Sequence, residues 1–166
     1  MTGDCNTPRH CGSFRMKCFS HDIYCQSLSN EYACRTENPT DTYTCMKTKH
    51  ELELADVKAI AVAAEAEALK NNWPVTISIV DDGGHLLLLQ RMDGAAAISA
   101  HIAPAKARSA AIGRKDTKVF EDMINNGRTA FLSAPFVDGL LEGGVVIVKD
   151  GQVLGAVGVS GVKANE

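Results

Sequence analysis

The sequence predicts an α+β protein in which an antiparallel sheet, made of two hairpins, is flanked by helices. Two observations lead to this prediction. The strand patterns occur as two close pairs joined by short glycine turns, and helical patterns lie before and between the pairs. Parallel strands need long crossover connections, so a dinucleotide-binding fold of parallel strands is excluded. The predicted order is α-β-β-α-α-β-β.

The first predicted helix covers residues 50–71, which are rich in alanine, leucine, glutamate and lysine, all strong helix formers. Its apolar residues recur at helical spacing and are expected to face the sheet: Leu54, Val57, Ile60, Ala61, Ala64, Ala68 and Leu69. The Trp73–Pro74 pair ends this helix, because the residue before a proline avoids helical backbone angles.

Two strands follow, at 75–82 and 85–92, and Gly83-Gly84 joins them. The first alternates apolar and polar residues, which is typical of a half-buried strand. The second contains four consecutive leucines. We expect both of its faces to be covered, one by a helix and the other by a partner subunit.

Residues 98–113 and 117–126 predict the next two helices, and Pro104 is an irregularity or a restart within the first. The second helix is short and amphipathic. Its inward residues are expected to be Val119, Phe120, Met123 and Ile124.

The second hairpin is predicted from strands at 145–149 and 153–159, joined at Asp150-Gly151, a favoured two-residue turn. Glycine recurs in its last strand and leaves no side chain to pack, which suggests close approach by a helix or a flat ligand. We expect the small face at Ala156 and Gly158 to receive the alanine-rich first helix.

Composition narrows the class of protein. The 166 residues are 45% apolar and 22% charged, which is typical of a globular chain and excludes a wholly disordered one. The net charge of −3 supplies no broad cationic surface, so neither nucleic acid nor membrane is expected as a partner. No apolar run approaches the roughly 20 residues of a spanning helix, and the stretch from Met1 lacks the apolar segment of a secretory signal. We therefore expect a cytoplasmic protein.

The composition also divides the chain into residues 1–46 and 47–166. All six cysteines lie in the first part, where Ile23 and Leu28 are the only branched aliphatic residues, whereas 32 follow it. A core needs aliphatic area, so the first part is predicted to be a disordered or non-native leader, the protein beginning naturally at Met46. Three disulfides, or a zinc site with its cysteines and histidines, are the alternatives.

Several standard catalytic motifs are missing from residues 47–166. These residues contain no phosphate-binding loop and no His-Glu-x-x-His zinc motif, and no cysteine follows Cys45. The sequence therefore favours a binding protein over an enzyme.

A polar turn, Asp81-Asp82-Gly83-Gly84-His85, is the densest group of chemically useful side chains, and Arg91 and Asp93 follow it. Asp and Gly are ordinary turn residues, and Arg91 with Asp93 can form a plain ion pair, so structure alone can explain this segment. The alternatives are contact with a ligand, or a metal held by Asp81, Asp82 and His85. His85 or His101 could also be an axial ligand of a porphyrin iron.

Three segments together resemble the GlcG/HbpS haem-binding family and the C-terminal domain of PduO-type corrinoid adenosyltransferases. They are VTISIVDDGGHLLLLQRMDGA, IAPAKARSAA and GLLEGGVVIVKDGQVLGAVGVSG. The resemblance implies a profilin-like fold, assembly into homo-oligomers, and haem or a related tetrapyrrole as cofactor or ligand. The family's motif residues fall here on Asp81, Gly83, Gly84, Arg91, Asp93, Lys106, Gly143, Gly144 and Ser160. Its iron ligands share no motif position, so His85 and His101 rest on chemistry alone.

Two departures from the family are the cysteine-rich leader and the expected absence of the usual C-terminal helix after Gly-Val-Ser-Gly. The leading hypothesis is a haem- or corrinoid-binding protein. The resemblance also implies an accessory role in glycolate or diol metabolism, because operons for these pathways contain family members. The alternatives are an accessory subunit without a ligand, and a metal-dependent enzyme using Asp81, His85 or Arg91.

Overall fold

The computed structural model describes residues 48–135 and 137–163 in full and, before them, the backbone of four strands. These strands form an antiparallel sheet in the order β1-β2-β3-β4. Their bounds are Phe14–Cys18, His21–Leu28, Glu31–Arg35 and Thr42–Thr44. The chain divides into a unit of Met1–Lys49 and a unit of His50–Glu166. Residues 1–46 were predicted to be disordered or non-native, with disulfides or a zinc site as alternatives. The structure does not describe the side chains of residues 1–47, so these statements stay predictions.

The second unit has the predicted order of elements. They are α1 (Leu54–Lys70), β5 (Thr76–Asp81), β6 (Leu86–Arg91), α2 (Ser99–Gly113), α3 (Thr117–Asn125), a 3-10 turn (Thr129–Ser133), β7 (Gly144–Lys149) and β8 (Gln152–Ser160). All neighbouring strands are antiparallel, in the order β6-β5-β8-β7. The predicted α+β class with two hairpins is therefore confirmed. Pro104 lies inside α2 without ending it.

The central strand β5 is covered on both faces, because alternate residues point to opposite sides of a sheet. On one face Val80 packs with the alanines of α2, including Ala107 and Ala110. On the other face Ile77 and Ile79 pack against α1. The hairpins thus form one layer between two helices.

The small face of β8 receives α2 and not, as expected, the first helix. A Cβ atom on Gly158 would clash with the carbonyl oxygen of Ala103 and lie 2.7 Å from the amide nitrogen of Ala107. Ala156 packs in the same cluster as Val80. Because Gly158 pairs with Ser78 and Ala156 with Val80, register places this face on the α2 side.

The sheet-facing stripe of α1 is narrower than predicted. Val57, Ala61 and Ala68 are buried, whereas Leu54 and Leu69 keep 64% and 60% of their surface exposed. They lie at the two ends of the helix.

The leucine strand β6 is an edge strand. Leu88 packs against the cluster of α1, while Leu86, Leu87 and Leu89 are exposed. Within this chain, then, a helix covers only part of the strand that was expected to be covered on both faces.

The turn of the second hairpin agrees with its sequence. Asp150 and Gly151 have φ values of 50° and 77°, the left-handed pair that a two-residue turn requires. In α3, Phe120 is buried and stacks on Phe131 with ring centroids 5.4 Å apart, while Val119 faces solvent. Across the described ranges, no helix combines the length and apolar character needed to span a bilayer.

Candidate functional site

Asp81 and His85 form a hydrogen-bonded pair at the end of the first hairpin. The His85 Nδ1 atom lies 3.0 Å from Asp81 Oδ2 and 3.1 Å from Oδ1. Asp81 Oδ1 also accepts the backbone N–H groups of Gly83 and His85, at 2.9 and 2.8 Å. The carboxylate therefore fixes both the turn and the imidazole.

The charge of Asp81 decides the tautomer of His85. Burial opposes ionisation of the carboxyl, but hydrogen bonds from the His85 amide and ring and from the Gly83 amide outweigh it and lower the pKa of Asp81. An ionised carboxylate only accepts hydrogen bonds, so Nδ1 of His85 donates. In neutral His85 the Nε2 atom keeps its lone pair, and 81% of this side chain is exposed.

Two glycines give the pair its room. A Cβ atom on Gly83 would lie 2.8 Å from Cε1 of His85, so the ring occupies the space of the missing side chain. Gly84 has a φ of +80° and is buried against α2, where a Cβ would lie 2.9 Å from Cγ of Arg108 and 3.1 Å from Cδ1 of Ile112. The turn thus rests directly on the helix.

The surface around His85 combines apolar side chains with one guanidinium. Arg108 and Ile112 lie against Gly84, the residue before His85, and Leu86 and Leu87 follow His85 in the chain; all four are exposed. Arg108 and Ile112 belong to no sequence motif and were not predicted as site residues. Their spacing of seven and eleven residues from His101 could have shown that all three share one face of α2.

His101 is exposed on α2. Unlike that of His85, its side chain has no hydrogen bond or ion pair within the part of the chain that the structure describes. No three His, Cys, Asp or Glu side chains converge into a metal-binding group among those residues.

Arg91, Asp93 and Ser160 lie at the opposite end of the sheet from the Asp81–His85 pair. Thr76, the first residue of β5, pairs with both Arg91 and Ser160, whereas Asp81 is the last. The six-residue strand separates the two ends by about 17 Å. Arg91 does not pair with Asp93 but donates from Nε and Nη2 to the Ala95 carbonyl, at 3.0 and 2.6 Å.

Lys106 joins Gly143 and Gly144 in a third place, between α2 and the start of β7. Its Nζ atom donates to the Val159 carbonyl at 3.1 Å, and a Cβ on Gly143 would lie 2.8 Å from that nitrogen. Gly144 N donates to Thr117 Oγ1 at 2.8 Å. These contacts anchor the loop that enters β7.

Burial lowers the pKa of Lys106, although two carboxylates, Glu121 and Glu142, act in the opposite direction. The Lys106 amine is therefore mostly buried and held by a backbone carbonyl, and the two carboxylates attract its charged form. The predicted site residues accordingly fall into three groups rather than one pocket.

The family match lies within the second unit. Residues 52–166 match the family model described as haem-degrading protein HbpS-like. The chain is 57% identical to protein GlcG of Escherichia coli K12 over 115 residues, which are 69% of this chain and 85% of that protein. Among solved structures, it superposes on protein ORFY of Klebsiella pneumoniae with a TM-score of 0.67 and 31% identity, covering 74% of this chain and 88% of that one. A PduOC:heme complex matches with a TM-score of 0.61 and 27% identity over 70% and 86% of the two chains.

Proposed function

Because this chain belongs to the HbpS-like family of haem-degrading proteins, we propose that it binds haem, or a related tetrapyrrole such as a corrinoid, at the surface around His85. The family resemblance in the sequence motifs is thus confirmed, and a structural relative crystallised as a PduOC:heme complex supports the ligand class.

The Asp81–His85 pair is the observation that carries this proposal. Metal-binding histidines usually donate their second ring N–H to a carboxylate or carbonyl, which fixes the ring and raises its basicity. Asp81 fills this role toward Nδ1, and the exposed Nε2 atom is left to bind iron. Imidazole is a common axial ligand of haem iron.

The surroundings of the pair suit the rest of a haem molecule. Leu86, Leu87 and Ile112 offer apolar surface to the macrocycle, and Arg108 offers a cation to a propionate. His101 lies on α2, the helix that carries Arg108 and Ile112, but it lacks an orienting carboxylate among the described residues. We therefore assign iron binding to His85 rather than to His101.

A hemin titration tests the assignment. The unaltered chain should develop a Soret band that reaches saturation, His85→Ala should lose most of it, and His101→Ala should keep it. Equal binding by His85→Ala would refute the iron ligand. No spectral change with the unaltered chain at micromolar hemin would refute the function.

We also propose that copies of this chain associate with one another. Both edges of the second unit's sheet expose apolar side chains among the described residues, Leu86 and Leu89 on β6 and Val145 and Val148 on β7, and exposed edges of this kind favour pairing. The same observation favours the second candidate function, an accessory subunit without a ligand. Light scattering with and without hemin separates the two candidate functions. Both predict that copies associate, but only the ligand-binding protein should also take up hemin.

An accessory role in glycolate or diol metabolism stays a prediction. So does ligand contact by the predicted residues away from His85, namely Arg91, Asp93, Lys106, Gly143, Gly144 and Ser160.

A further inference from the structure

A surface cleft of about 250 Å³ lies between the end of α1 and the exit of β6, at the opposite end of the sheet from His85. Leu69, Pro74 and Met92 give it apolar walls, and Trp73 adds an aromatic ring. The chain builds this cleft where the Trp73–Pro74 link turns from the helix into the central strand.

Among the residues that the structure describes, Asp93 is the one ionisable residue lining this cleft. Its carboxylate has no hydrogen bond or ion pair within the described ranges, because the neighbouring guanidinium of Arg91 is turned to the Ala95 carbonyl. An exposed carboxylate without a partner thus stands at the rim of an apolar, aromatic surface.

We propose that this cleft binds a small organic cation, an ammonium group carried on an aryl or alkyl body. The carboxylate of Asp93 pairs with the ammonium, the indole of Trp73 attracts the same charge through its ring face, and the apolar walls receive the body. An anion would meet an uncompensated negative charge, and a neutral molecule would lack the ion pair. This site does not depend on the proposed haem binding.

Fluorescence gives a local readout, because Trp73 is the only tryptophan in the chain. The full chain without haem is titrated with three probes of the same size: 2-phenylethylammonium, neutral 2-phenylethanol and anionic phenylacetate. We expect the cation to bind about fivefold more tightly than the alcohol, as an exposed ion pair and a cation–π contact allow. Phenylacetate should bind most weakly.

Two variants test the charge. Asp93→Asn should remove the preference for the cation, while Asp93→Glu should keep it. Asp150→Asn makes the same change of charge in the turn between β7 and β8, outside the cleft, and should leave the preference unchanged. The proposal is overturned if the alcohol binds as tightly as the cation, if Asp93→Asn keeps the preference, or if none of the probes alters the fluorescence.

Discussion

Replacing Asp81 by asparagine should reverse the tautomer of His85 while keeping the turn. Asp81 Oδ1 accepts two backbone N–H groups, at 2.9 and 2.8 Å, and the asparagine oxygen can accept both. The asparagine NH₂ group then replaces Oδ2, which lies 3.0 Å from the ring, and it can only donate. Nδ1 of His85 then faces a donor at the shorter of its two distances, which favours Nδ1 as acceptor and the ring proton on Nε2.

An imidazole protonated on Nε2 cannot bind iron through that atom. Binding then requires the ring to give up its new hydrogen bond, which costs about 1–3 kcal/mol. Loss of an outer partner of a metal-binding histidine typically weakens metal affinity about 10- to 100-fold, in agreement with this cost. We expect Asp81→Asn to weaken hemin binding by this factor, and the exposed pair to contribute at most about 1 kcal/mol to folding.

The assay is a hemin titration followed at the Soret band, with urea unfolding of the same samples. Asp81→Asn should lie between the unaltered chain and His85→Ala in affinity, with an almost unchanged unfolding midpoint. Hemin affinity equal to that of the unaltered chain would refute the orienting role of Asp81. A large loss of stability would show instead that the carboxylate mainly holds the turn.

Two further predictions concern stability. Gly158→Ala should destabilise the fold by about 1–3 kcal/mol or more in urea unfolding, because its Cβ would meet the Ala103 carbonyl. The control Gly127→Ala meets no neighbour within 4 Å and carries only the strain of its positive φ. Similar losses of stability in the two variants would contradict the close packing of α2. Burial lowers the pKa of Lys106 below 10.5, so the unfolded chain binds this proton more tightly than the folded one. The free energy of unfolding should therefore increase as the pH rises from the folded pKa of Lys106 to 10.5. Lys106→Met should remove that contribution in urea titrations at alkaline pH, and an unchanged pH dependence would contradict it.

The elements of the second unit could be predicted because each is specified by residues that are close together in the sequence. Alternation from Val75 onward gave the central strand, and Asp150-Gly151 gave a turn whose φ values are both positive. Helical spacing likewise located α1, although Leu54 and Leu69 proved exposed at its ends. Such patterns describe one element at a time.

The contacts between elements could not be predicted in the same way. Gly158 was assigned to the first helix, but register with Ser78 turns it toward α2. The Asp81–His85 pair was predictable as a cluster because one short turn contains it. Arg108 reaches the same turn only through the packing of α2, which no local pattern specifies.

The position of β5 has a consequence for how this protein is made. One edge of β5 pairs with β6, the next strand in the chain. The other edge pairs with β8, which is synthesised about 70 residues later. Until then a strand with five of its six residues destined for burial presents open backbone groups to other nascent chains. Holdase chaperones should therefore raise the yield of folded protein, and rapid overproduction, which crowds such nascent chains together, should send much of it into inclusion bodies.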